Sequence, residues 1–120
     1  MQAAHPSPPE ADLDAAMVTL EQICDALQRA VDGGLAAGAF PGLAASAAPI
    51  VAVLTAAGRD RRADFLGRAI RHLEVASRLW SKIVASPTTA TTRDFDDEVY
   101  QAFDCACWAL QWDAVAQAAA

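Results

Sequence analysis

The sequence predicts an all-α protein: a compact antiparallel bundle of about four helices, folded as one domain. Apolar residues recur at helical spacing along nearly the whole chain, and alternating runs of strand length are missing. Glycine and proline clusters divide the chain into four stretches of helical length. Its 120 residues, 54% hydrophobic and 20% charged, have the composition of a globular domain large enough to bury one core without a metal or disulfide. Residues 1–7 read as a flexible, proline-containing tail and residues 8–120 as the domain.

The first helix is expected to start at Ser7 and run to about Asp32. Ser7 can cap it, Pro8 suits the first helical position, and Glu10 stands where a capping box wants an acid. Gly33 and Gly34 supply the stop. Leu13, Met17, Leu20, Cys24, Leu27 and Val31 follow steps of four and three, the spacing of a narrow packing seam, which Ile23 widens. Asp14, Glu21, Asp25 and Asp32 form an acidic stripe on the flank, read as a solvated face.

From Gly33 to Gly58 no residue is charged. A membrane span needs about 20 uninterrupted apolar residues, and Gly34, Gly38, Pro41, Gly42 and Pro49 break this run, so none is expected. The reading is an irregular connection over 34–42 and a second helix over about Leu43 to Ala57, or from near Ala47 if Ser46 and Pro49 mark a later start. Ile50, Val51, Val53 and Leu54 leave hardly any polar side, which makes this the expected central helix, buried all round.

Gly58 to Asp60 give a stop and a new cap, and a third helix should cover Arg61 to Ala85. Phe65, Leu66, Ala69, Ile70, Leu73, Ala76, Trp80, Ile83 and Val84 make its apolar arc, while Arg68, Arg71, Arg78 and Lys82 line the far side as a basic stripe. Pro87 and the threonines Thr88 to Thr92 read as a loop. Asp94, Asp96, Asp97 and Glu98 then open a fourth helix, reaching Gln117, with the acidic first turn its dipole favours.

That last helix carries apolar side chains on two faces. At about 100° per residue, Phe95, Val99, Phe103, Ala106 and Leu110 share one stripe, and Cys105, Trp108, Trp112 and Val115 share a nearly opposite one. One core needs one stripe. The second requires another covering surface, either elsewhere in the chain, on a second copy or on another protein. Gln101 and Glu98 are expected at its rim.

The chemistry-bearing residues do not assemble a familiar site. Cys105 and Cys107 project about 200° apart on a helix, so they do not chelate together, and His72 has no ligand one turn away; no metal and no cofactor is expected. Three cysteines do not make a stapled framework and read as small hydrophobes. No nucleophile, base and orienting group fall into a recognisable pattern, so the chain is not expected to be an enzyme. A net charge of −6 argues against general nucleic-acid affinity, although seven of the nine basic residues fall between Arg59 and Lys82. Tyr100 and Asp104 are spaced as in the YxxxD signal of the WxG family of small secreted proteins, which the segment resembles; the WxG turn of that family is missing here, since Trp80 to Lys82 lies inside a helix.

The expected function is therefore that of a non-enzymatic protein, bacterial or phage given the alanine bias and the single lysine, Lys82. It would bind another protein, as an inhibitor, immunity factor, adaptor or chaperone does, or pair as a homodimer, through Cys105, Trp108, Trp112 and Val115. The first alternative is a regulator contacting nucleic acid, or a nucleic-acid-bound complex, through Arg68, Arg71, Arg78 and Lys82. The second is an enzyme or small-ligand carrier using the bundle core. With neither a signal-like N-terminus nor a membrane span expected, the location is read as cytoplasmic.

Overall fold

The computed structural model describes residues 8–34 and 37–119, with side-chain surroundings for 12–34 and 38–112. The N-terminal tail and the Ser7 cap lie outside the described residues. Four helices follow in order: α1 (Pro8–Val31), α2 (Phe40–Ala56), α3 (Asp60–Ala85) and α4 (Thr89–Ala119), with a single 3₁₀ turn, Ala37–Ala39, leading into α2. They form the expected all-α antiparallel bundle, and the described residues include no strand. None of the described helices is long and apolar enough to cross a membrane.

Two glycines set the corners. Gly33 (φ 83°) and Gly58 (φ 76°) take the left-handed conformation that only glycine adopts without a Cβ penalty. After each, the chain closes a Schellman motif: Gly34 N–H donates to the Arg29 carbonyl at 2.7 Å, and Arg59 N–H donates to the Leu54 carbonyl at 2.8 Å. Both helices stop where the sequence places the stop.

The start of α4 differs from expectation. Thr88 is the cap: its Oγ1 accepts from Thr91 N–H at 3.0 Å, so the threonine run is helix rather than loop. Asp94 to Glu98 consequently fall beyond the first turn, and the helix dipole does not account for them. Pro49 also breaks nothing. It stands inside α2 on an exposed side, where water can reach the carbonyl it leaves unpaired, and Phe40, Ala47, Ile50 and Leu54 hold the helix by packing.

The helices pack in a ring, α1 on α2, α2 on α3, α3 on α4 and α4 on α1, with α3 against α4 the most extensive contact. α2 is therefore not the central element. Ala45, Ser46, Ala48 and Ala52 are exposed, and the helix is apolar all round because its outer side carries small residues, not because it is enclosed. The core is built from Leu20, Leu27, Phe40, Leu54, Leu66 and Leu73, all fully buried, with no buried polar residue among those described.

α4 resolves its own two-faced pattern. Its most deeply buried stripe is Val99, Ala102, Ala106 and Ala109, small residues that let α4 sit close between α1 and α3. The larger apolar side chains flank that stripe on both sides: Phe103 and Leu110 on one, Cys105, Trp108 and Trp112 on the other. What reads in the sequence as two opposite stripes is one broad face whose middle is alanine.

Candidate functional site

The tryptophan flank of α4 meets a matching line on α3. Arg61, Phe65 and Arg68 recur at steps of four and three, so they share one side of α3, and Trp108 and Trp112 are one turn apart on α4. Because the helices run antiparallel, the two lines interleave. Phe65 stacks on Trp108 with centroids 5.9 Å apart and lies 5.3 Å from Trp112 in a tilted pair, and the two indoles are 5.9 Å from each other. These separations are the usual range for attractive ring pairs. The Arg61 guanidinium lies 5.6 Å from the Trp112 ring and that of Arg68 lies 5.5 Å from Phe65. Arg68 is held there by Asp64 at 2.9 Å, one turn back.

Part of the chain itself thus covers the second stripe. Among the described residues Phe65 supplies the cover, and it leaves Trp108 37% exposed. Cys105 continues the flank, half-buried, between the aromatic rings and the basic stripe. Burial pushes its thiol upward, Asp104 adds to that, and Arg68 and Arg71 oppose it. Val115 lies in α4 beyond the residues whose side chains are described. Glu98 is not part of the tryptophan rim. It turns toward α3, where its Oε2 lies 2.5 Å from His72 Nδ1.

The basic residues of α3 divide into two sets. Arg62 reaches across the bundle, donating from Nη1 to the Leu110 carbonyl at 3.2 Å and to the Met17 sulfur at 3.4 Å. With Arg61 and Arg68 on aromatic rings, these three do structural work at the seam, which explains positive charge near a helix start that the dipole disfavours. Arg71, Arg78 and Lys82 are exposed, and no ion pair involving them is found among the described residues.

Sequence reasoning missed Phe65 as the platform, having placed it in the core arc; its spacing to Arg61 and Arg68 was the available signal. Burial, first of all, pushes Cys24 from 9.0 up to about 12, and burial raises Cys107 as well. Cys107 also lines a surface depression of about 230 Å³ with Asp104, Trp108 and Gln111. Among the described residues no group of three or more His, Cys, Asp or Glu is placed to hold a metal ion. No protein-family model, curated protein or solved structure matches the chain.

Proposed function

We propose that this chain works without catalysis, by binding another protein through Trp108 and the side chains around it, Cys105 and Trp112 included. The observation that supports the reading is the state of Trp108: it is 37% exposed, yet fixed from behind by Phe65 and Trp112. Tryptophan and arginine dominate interface energetics. A ring already held by stacking also loses little freedom on binding. The guanidinium groups of Arg61 and Arg68 beside it suit a partner whose apolar anchor is rimmed by carboxylates. An inhibitor, immunity factor or adaptor of bacterial or phage origin acting in the cytoplasm fits this surface, and so does a homodimer.

A second reading, contact with nucleic acid, draws on the exposed and unengaged line of Arg71, Arg78 and Lys82. It is the weaker one, since Arg61, Arg62 and Arg68 are committed to the seam and the chain carries a net charge of −6.

The test compares two double variants with the wild type in capture from the source cell. Trp108→Ala with Trp112→Ala should keep helical circular dichroism and lose the captured protein, while Trp80→Ala keeps it; light scattering after size exclusion tells whether the partner is a second copy. Undiminished capture by the tryptophan variant, or its unfolding, defeats the proposal. Loss on combining Arg71→Glu with Lys82→Glu, together with steep weakening by salt, would move the function to nucleic acid.

A further inference from the structure

α1 and α3 stand diagonally in the ring, each beside α2 and α4, and they run in the same direction. Their outward sides therefore look out of opposite faces of the bundle. On α1, Asp14, Val18, Glu21 and Asp25 follow steps of four, three and four and lie nearly opposite the buried Leu20 and Leu27. On α3, Arg71, Val75, Arg78 and Lys82 follow the same steps, opposite the buried Leu66 and Leu73. All six charged residues are exposed, and no ion pair engages them among the described residues. Val18 is 57% exposed, and the core does not use it.

We propose that the basic face of α3 is a docking surface for a second copy of this chain, which seats the acidic face of its α1 there. Laid parallel, two helices bring like positions to one level, as in a parallel coiled coil. Asp14 then meets Arg71, Val18 meets Val75, Glu21 meets Arg78 and Asp25 meets Lys82. Laid antiparallel, the same three basic residues find Asp32, Asp25 and Glu21, but Val75 meets Gln28 and Arg29 comes beside like charge. The parallel register is the one in which all four positions match.

Because the two faces lie on opposite sides, one molecule cannot use both against the same neighbour. The contact is heterologous and repeats head to tail, giving an open row that lengthens with concentration. Exposed ion pairs are individually weak, and Glu74 at the edge of the basic stripe weakens its field. The row therefore forms at high protein concentration and low salt. Salt shortens the reach of charge from about 30 Å at 0.01 M to about 3 Å at 1 M, which dissolves it. Trp108 lies where α3 meets α4, outside this contact, and the inference does not rest on protein binding there.

Sedimentation velocity of the purified, nuclease-treated full chain tests this. The average sedimentation coefficient should rise with concentration in about 0.01 M salt and return to that of the monomer in about 1 M. Arg78→Glu with Lys82→Glu, and Glu21→Arg with Asp25→Lys, should each stay monomeric. An equimolar mixture of the two should assemble again, since the reversed faces match, and this restoration excludes misfolding as the cause of the loss. A carbodiimide should join Lys82, the single lysine, to Asp25 of another chain. A wild type that is monomeric throughout, charge variants that still associate, mixing that restores nothing, or a link from Lys82 to Asp32 or to the acidic cluster at 94–98 overturns the proposal. Self-association lost in Trp108→Ala but kept in both charge variants does so too, while leaving the binding role of Trp108 intact.

Discussion

The α3 and α4 seam carries three aromatic rings at each end, and the two trios are built on different foundations. At one end Phe95 stacks on Phe40 at 5.8 Å and packs against Trp80 at 5.4 Å. Phe40 is 1% exposed and arrives from α2, so this trio is rooted in the core and joins three helices. At the other end Phe65, Trp108 and Trp112 come from α3 and α4 alone, none of them fully buried, and arginines cover the rings in place of a third helix. The first trio holds the bundle together. The second is an attachment on its outside, where ring area beyond the needs of folding is available for a partner. Trp80 has as much exposure as Trp108, 40% against 37%, and is the natural control because its neighbour reaches into the core.

The contrast is broken most directly at Phe40. Phe40→Ala should cost about 3–5 kcal/mol, since it empties a filled site where three helices meet. Urea unfolding measures this, and a loss below about 1 kcal/mol would mean that the first trio is no better rooted than the second. Phe65→Leu keeps bulk while removing the ring, and should cost only about 0.5–1.5 kcal/mol. It should also shift the tryptophan emission to the red, since two of the three indoles lose their platform; an unchanged spectrum would show that they are covered otherwise. Arg61→Gln should be smallest, at most about 1 kcal/mol in the same assay, with an increase in iodide quenching of Trp112. A larger loss would make the guanidinium a structural cap and shrink the surface left for binding.

Helix positions were largely legible in the sequence because their signals are local. Gly33 and Gly58 act through their own backbone conformation, and α3 was readable from Arg61 to Ala85, one residue short of its start at Asp60. Where expectation failed, a competing local or tertiary effect won. The Thr88 hydroxyl caps α4 earlier than the acidic cluster suggested, and α2 starts at Phe40, within the stretch read as a connection, with Pro41 in its first turn and Phe40 buried in the core. For the candidate site, Trp108 and Trp112 stood out as a pair one turn apart. Their cover did not, because the register of α3 against α4 decides which residue faces them, and register is a property of two helices together.

The alanine stripe of α4 implies an unusual tolerance profile. In most cores the harmful substitution shortens a side chain and opens a void, but Ala102, Ala106 and Ala109 have nothing to lose in that direction and are fully enclosed. Damage there comes from growth: even valine would force neighbouring side chains off their rotamers, at about 1–3 kcal/mol. Most amino acids one nucleotide away from an alanine codon are larger, polar or helix-breaking. The middle of α4 is thus a stretch where random drift is filtered by steric fit, so that the sequence there is expected to change more slowly than its featureless composition suggests.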